Sequence, residues 1–339
     1  MPVPDTASDL APGLTYVSDA LPGLRRQRRG KGFRYVDPRG RTVSAAERAR
    51  ILALGIPPAW EDVWICRDPG GHIQATGLDA AGRKQYRYHP GWSDWRARSK
   101  YDGLAGFGAG LARFRARVAR DLAGTPGDLA FALAAIAVLL DRLHLRVGSA
   151  CYATRNRSFG ATTLLNRHLQ LAPGEIRLRF RAKGGQRVEH RLRDSRLHRI
   201  FEAIDDLPGR NLFTWIDEEG RARPIGSDQV NAYVAAATGV AGATAKTFRT
   251  WSGSLAALET AEAARGPLRV RSLAEAAAAR LANTPAVSRS AYIHPRILGL
   301  ADLDPGARAD LLGRIRPTGP ARLRAGERRL IGLLSMADP

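Results

Sequence analysis

The sequence predicts an α+β fold: a small β-rich N-terminal domain over residues 1–98, then a larger, mainly α-helical domain over residues 99–339 that carries a β-hairpin. Three observations predict it. Up to about residue 89, short alternating or aromatic runs are separated by turns rich in Asp, Pro and Gly, the pattern of antiparallel strands. Around Trp92–Lys100 this gives way to long runs of Ala, Leu and Arg with helical periodicity. Within the second part, Glu175–Leu192 alternates again, and its two halves meet at Lys183-Gly-Gly185, where glycine supplies the positive φ of a tight hairpin.

Taken in order, residues 1–24 read as a Pro/Gly-punctuated lead-in. Arg25-Arg-Gln-Arg-Arg-Gly-Lys-Gly-Phe-Arg-Tyr35 is a basic run feeding an aromatic strand. Phe33–Val36 and Arg41–Val43 read as strands flanking the turn Asp37-Pro-Arg-Gly40, and Ala45–Leu54 has helical spacing. Asp62–Cys66 and His72–Thr76 flank Asp68-Pro-Gly-Gly71, and Lys84–His89 follows the turn Asp79-Ala-Ala-Gly-Arg83. On that last strand Lys84, Tyr86 and Tyr88 share one face, and Gln85, Arg87 and His89 the other. Such interleaving of basic, amide and aromatic side chains suits a phosphate backbone or base edges.

In the second part, Gly103–Leu122 and Gly127–Leu145 read as packed helices. Arg146 follows at the end of an apolar helix, where an arginine needs a reason. Further helices are expected at Leu197–Ile204 and Ser227–Thr238. Lys246-Thr-Phe-Arg-Thr-Trp251 opens another, with Lys246 and Arg249 three apart on one face. Leu273–Ala282, with alanines at 276–279, is a strong helix former. A short helix is then expected from Asn283-Thr-Pro285, with Asn283 as N-cap and Pro285 in the first turn; it ends at Tyr292 before His294-Pro295. The tail, Asp302–Pro339, reads as helical without a functional signal. No internal repeat stands out.

Charge narrows the partner. Lys and Arg number 53 against 32 Asp and Glu, a formal net charge of +21, and residues 151–200 alone hold 12 basic and 3 acidic side chains. A polyanion, nucleic acid first, is the partner such a balance implies. With 44% hydrophobic residues the chain is no basic disordered tail. Its two cysteines, Cys66 and Cys151, are far apart and in no Cys-x-x-Cys pattern, which argues against a disulfide framework and a zinc site and for a reducing compartment. No segment looks like a signal peptide or an 18-residue membrane span. No Asp/Glu/His cluster has metal-ligand spacing; Asp205-Asp206 and Asp217-Glu-Glu219 read as solvated surface.

Four motifs then acquire a common meaning. Arg146-Val-Gly148, Lys183-Gly-Gly185, Lys246-Thr-Phe-Arg249-Thr and Asn283-Thr-Pro…Ala-Tyr292 occur in an order and spacing that resemble the type IB DNA topoisomerases, in particular the compact bacterial enzymes related to the poxvirus one. Arg28-Arg-Gly-Lys-Gly-Phe-Arg-Tyr35, Ile56-Pro-Pro-Ala-Trp60 and Gly82-Arg-Lys-Gln-Tyr-Arg-Tyr88 resemble the same subfamily, so the resemblance runs from about residue 15 to about residue 297. It implies that Tyr292 attacks a DNA phosphodiester to form a 3′-phosphotyrosyl link, that Arg146 and Arg249 bind the phosphate, and that Lys183 protonates the leaving 5′-oxygen. Asn283 stands where poxvirus and eukaryotic relatives carry histidine; its amide can donate a hydrogen bond to a phosphate oxygen but cannot act as an acid. The resemblance further implies DNA contacts from Gln85, Tyr86 and Tyr88 in the major groove and from Lys246 near the scissile step; Arg83 and Lys84 are DNA-binding candidates beside them. It implies a C-shaped clamp on duplex DNA, relaxation of supercoils of either sign, no required cofactor or metal, a monomer, and a cytoplasmic, nucleoid-associated location.

Two other readings stay open on sequence. A tyrosine recombinase shares the Arg-Lys-Arg-Tyr set, but usually shows His-x-x-Arg where this chain has Lys246-Thr-Phe-Arg249, and usually a helical rather than β-rich N-terminal domain. A non-catalytic duplex-binding protein would account for the charge but not for the ordered motifs.

Overall fold

A computed structural model describes residues 13–337 apart from Lys31 and Lys100, without the side chains of residues 94, 96–99, 151 and 152. The first twelve residues of the lead-in, Lys31, Lys100 and the Cys151 side chain therefore lie outside the described residues. The chain divides into two compact units, one ending at Asp102 and one starting at Gly103. The first is an antiparallel sheet with helices and the second is mostly helical, an α+β protein. No helix among the described residues is long and apolar enough to cross a membrane.

The N-terminal unit contains β1 (Leu24–Arg29), β2 (Gly32–Val36), α1 (Ala45–Ala53), β3 (Glu61–Ile65), β4 (Ile73–Leu78), β5 (Lys84–Tyr88) and α2 (Pro90–Ser99), with sheet order β2-β1-β3-β4-β5. One face of the sheet packs Leu24, Tyr35, Val63, Ile65 and Ala75 with Ile51 of α1; the other packs Trp64, Cys66 and Ile73 with Val17. Two expectations need correction. The basic run is itself a strand: β1 pairs with β2 from Arg25↔Val36 to Arg29↔Gly32, and Arg26 lies 4.2 Å over the Phe33 ring while donating to the carbonyls of Pro57 and Trp60. Arg41–Val43 is not a strand: only a single bridge, Val36↔Thr42, forms with β2 before the chain enters α1.

One five-residue turn pattern recurs, at irregular intervals. Asp-x-x-Gly-Arg occurs at Asp37–Arg41, Asp79–Arg83 and Asp217–Arg221. Each time the Asp Oδ1 accepts the backbone N–H groups two and four residues on, and Oδ2 accepts Nε–H of the Arg. Each glycine has positive φ, at 79°, 68° and 74°. The aspartate does what the backbone cannot at a tight reversal, and glycine supplies the left-handed step.

The second unit contains α3 (Leu104–Asp121), α4 (Leu129–Leu143), α5 (Ala150–Asn156), β6 (Leu169–Ala172), β7 (Glu175–Arg181), β8 (Arg187–Arg193), α6 (Ser195–Asp205), β9 (Thr214–Ile216), β10 (Ala222–Pro224), α7 (Ser227–Thr238), α8 (Ala245–Ala263), α9 (Val270–Leu281), α10 (Pro285–Tyr292), α11 (Pro295–Leu298), α12 (Pro305–Gly313) and α13 (Ala325–Ser335). The apolar run of α4 is buried from Phe131 to Leu140, packed by α3, α7 and α8. The expected hairpin is present as β7–β8, in register from Glu175↔Arg193 to Arg181↔Arg187, and β6 joins it as a third strand through the Pro173-Gly174 turn. The tail is not inert. Glu327 of α13, 2% exposed, and Asp141 of α4 both pair with Arg115 of α3 at 2.7 and 2.8 Å. Removing one member of so buried a cluster typically costs about 3–5 kcal/mol.

Candidate active site

Tyr292 is the last residue of α10, and its half-buried ring lies under Arg249 of α8, whose guanidinium carbon is 5.0 Å from the ring centroid. Burial pushes the phenol up, but the charge of Arg249 over the ring and the charges of Arg146 and Lys246 together outweigh it. The phenol is left below the ordinary tyrosine value. Ionisation of the Tyr292 phenol is thereby easier than for a tyrosine in water.

Arg249 is only 3% exposed, and the fold supplies its partners from backbone. One terminal nitrogen donates to the carbonyl of His144 and the other to that of Leu281 at 3.0 Å. These carbonyls lie at the C-terminal ends of α4 and α9, where helix dipoles favour a cation. His144 (φ 53°) and Ala282 (φ 47°) both take the left-handed conformation that closes these helices. The buried guanidinium thus ties two helix ends together and turns its charge toward Tyr292.

Asn283 is not the N-cap of α10. Thr284 is, accepting the Val287 N–H, while Ala282 closes α9. The Asn283 amide instead accepts a hydrogen bond from Arg146 through Oδ1. A guanidinium only donates, so the oxygen must face it, and the buried Nδ2 remains without a partner. Arg146 does not end a helix either: α4 stops at Leu143, and Arg146 sits in the irregular segment that follows. That segment is pinned by backbone bonds from Ala161 N to Arg146 O (2.8 Å) and from Thr162 N to Val147 O (2.7 Å). Gly160 permits it, since a Cβ there would lie 2.5 Å from Arg146 O.

Two lysines complete the set. Lys246, exposed in the first turn of α8, contributes to the potential at Tyr292. Lys183 is exposed at the tip of the hairpin, and none of the contacts joining the other residues involves it. Its neighbour Ala182 is buried and lines one cavity with Arg146, Arg249 and Leu281, a cavity that Lys183 itself does not line. The structure therefore brings Tyr292, Arg249, Arg146, Asn283 and Lys246 together and leaves Lys183 apart.

In the N-terminal unit, β5 is one of the two edge strands of the sheet. Tyr86 and Tyr88 stack with centroids 5.8 Å apart against the Trp64 side of the sheet. Lys84, 5.7 Å over Tyr86 on that same side, is paired with Asp19 at 2.5 Å. Gln85 Nε2 donates to Asp79 Oδ2 at 2.9 Å, the same oxygen that receives Arg83. Of the residues expected to meet DNA, Arg83, Lys84 and Gln85 are thus already held by carboxylates.

Sequence reasoning missed Gly253 and Ser254 of α8. A Cβ on Gly253 would lie 2.5 Å from the Tyr292 carbonyl oxygen, so only glycine admits the end of α10. The fully buried Ser254 Oγ donates to that carbonyl at 3.4 Å and accepts His294 N–H at 3.0 Å. The available signal was the run Ser252-Gly-Ser254 in mid-helix, where glycine normally costs about 1 kcal/mol and so needs a packing reason.

An ionisable phenol, two guanidiniums, an amide N–H and a lysine converging here suit nucleophilic attack on a phosphodiester. Comparison with known proteins agrees. The family described as bacterial DNA topoisomerase IB, N-terminal domain, matches residues 32–79. The one described as eukaryotic DNA topoisomerase I, catalytic core, matches residues 90–291, more than half of the chain and ending one residue before Tyr292. DNA topoisomerase 1B of Acanthamoeba polyphaga mimivirus is 29% identical over 300 residues, 84% of this chain and 89% of the relative.

Proposed function

The chain belongs to the type IB DNA topoisomerase family, and on that footing we propose how its own residues carry the reaction on duplex DNA. The Tyr292 oxygen attacks a phosphorus of one strand as the bond to the 5′-oxygen breaks, giving a 3′-phosphotyrosyl link and a free 5′-hydroxyl. Extra negative charge develops on the non-bridging oxygens. Arg146, Arg249 and the spare N–H of Asn283 stabilise it, the arginines through a planar fork suited to phosphate. The departing alkoxide is strongly basic and takes a proton from Lys183, which the hairpin delivers when DNA is bound. Gln85, Tyr86, Tyr88, Arg83, Lys84 and Lys246 contact DNA outside the reacting group.

While the link lasts, the 5′ end turns about the intact strand, so supercoils of either sign relax; reversal of the chemistry reseals the strand. One phosphodiester is exchanged for another, so the cycle needs neither ATP nor a metal or organic cofactor. The enzyme acts as a monomer and works on the nucleoid.

The observation that carries this reading is the half-buried Tyr292 phenol under Arg249, lowered by Arg249, Arg146 and Lys246, with Asn283 bonded to Arg146 through Oδ1 and its Nδ2 left without a partner. Relaxation of supercoiled plasmid with EDTA present and ATP absent tests it. Topoisomers should spread toward the relaxed state in both negatively and positively supercoiled substrates. Failure of a folded sample to relax either would refute it.

A further inference from the structure

Asp79 belongs to one of three equivalent turns, yet what lies six residues beyond the aspartate differs. Beyond Asp37 it is Val43, whose side chain cannot donate; beyond Asp217 it is Arg223, which donates to Oδ2 at 2.6 Å. Beyond Asp79 it is Gln85, on the edge strand β5, donating to Oδ2 at 2.9 Å. A carboxylate only accepts, so the amide nitrogen and not the oxygen must face Asp79. One amide proton is thereby committed. The carbonyl oxygen and the second proton remain, an acceptor and a donor held in a fixed orientation.

Asp79 is itself fixed. Its Oδ1 accepts Ala81 N–H at 2.9 Å and Arg83 N–H at 3.0 Å, and Oδ2 accepts Arg83 Nε–H at 2.7 Å. These bonds hold its carboxyl well below the usual carboxylate range, the Arg83 side chain contributing most, so it is ionised wherever the protein is folded near neutrality. A side-chain amide that rotates freely reads donors and acceptors with little preference; one clamped at a single N–H presents one pattern.

We propose that Asp79 is a positioning residue for sequence preference: it orients the Gln85 amide toward base edges and so selects where the enzyme cleaves, without entering the chemistry at Tyr292. This rests on the reading of Gln85 as a DNA contact, and the test separates the two.

The probe is a pool of linear duplexes randomised over a short window, with covalent cleavage sites mapped by sequencing and single-turnover cleavage timed on the best duplex and its single-base variants. Wild type, Asp37→Asn, Asp79→Asn, Gln85→Ala and the Asp79→Asn/Gln85→Ala double variant are compared. Asparagine can still cap the turn through Oδ1, but its nitrogen replaces Oδ2 and faces the Gln85 N–H with another donor. Asp79→Asn and Gln85→Ala should both flatten discrimination at the same base position, by about fivefold or more, the lower end of what one good amide–base contact is worth. Asp37→Asn should leave the profile unchanged, and the double variant should match Gln85→Ala alone. Asp79→Ser, which can cap the turn but cannot reach Gln85, repeats the test should Asp79→Asn melt at a lower temperature.

A changed profile for Gln85→Ala with a native one for Asp79→Asn would overturn the role of Asp79. So would flattening at a different position, additive losses in the double variant, or an equal change in Asp37→Asn. An unchanged profile for Gln85→Ala would instead overturn the reading of Gln85 as a DNA contact.

Discussion

Arg249 and Lys183 are both cations assigned to the same reaction, yet the fold treats them in opposite ways. Arg249 is buried, bonded to two helix ends and lying over Tyr292. Lys183 is exposed on a turn whose two glycines, with φ of 80° and 77°, leave it without neighbours that fix its direction. The contrast follows the chemistry. Groups that stabilise charge at the phosphate are most effective when fixed beforehand, so that nothing reorganises as charge develops. A proton donor is needed only once DNA is in place, and a lysine buried early would lose its proton to desolvation.

The strongest test of that contrast removes the nucleophile both cations serve. Tyr292→Phe should abolish the denaturant-resistant protein–DNA adduct while filter binding of duplex DNA persists; plasmid relaxation by this variant would end the proposed mechanism. Next in size is Lys183→Ala, which should slow cleavage by roughly 10²- to 10⁴-fold, the range for a lost general acid. That loss should largely disappear on a substrate whose leaving group is a 5′-thiol, which departs without a proton. A defect equal on both substrates would mean that Lys183 does something other than protonate.

Asn283 is tested on a smaller scale. Asn283→Ala removes one donor to the phosphate and should lower the cleavage rate by about 10²- to 10³-fold. Asn283→His should retain activity, because an imidazole N–H can occupy the same place; a fall below roughly one-hundredth of the native rate would contradict simple donation. The smallest expected effect is on pH. The Tyr292 phenol sits below the usual value near 10 because of Arg249, Arg146 and Lys246. Its reactive form is the anion, so cleavage should rise with pH and level off before that value is reached. Lys246→Met removes a positive charge and destabilises the anion, so the rising limb should move to higher pH. A limb that stays put would place Lys246 outside the field of the phenol.

Much of this site was legible because its chemistry needs particular side chains in order. Arg146, Lys183, Arg249 and Tyr292 stand out only as an ordered set that resembles the type IB topoisomerases; none of them does so alone. What escaped was held by backbone. The strand β1 has almost no hydrophobic alternation, with five polar or charged residues after Leu24, and exists because its peptide groups pair with β2. Asn283 looked like a cap because both it and Thr284 can cap; the left-handed Ala282, a conformation no composition signals, moved the helix start by one residue. The aspartates at positions 37, 79 and 217 went unconnected because their likeness lies in hydrogen bonds rather than in length of similar sequence. The role of Glu327 was invisible because its partner Arg115 is distant in the chain.

Gly253 has a mechanical consequence. On the mechanism proposed above, in which the strand is joined to Tyr292, torque stored in the DNA passes through a single side chain into the protein. The Tyr292 carbonyl seats against the bare backbone of Gly253 and takes the Ser254 hydroxyl, and Ser254 in turn holds the next turn of chain at His294. The far side of that seat is α8, a 19-residue helix buried along most of its length. The twist of the rotating strand therefore acts on an anchorage with little give, so that rotation is taken up in the DNA while the reactive phosphate stays where resealing can find it.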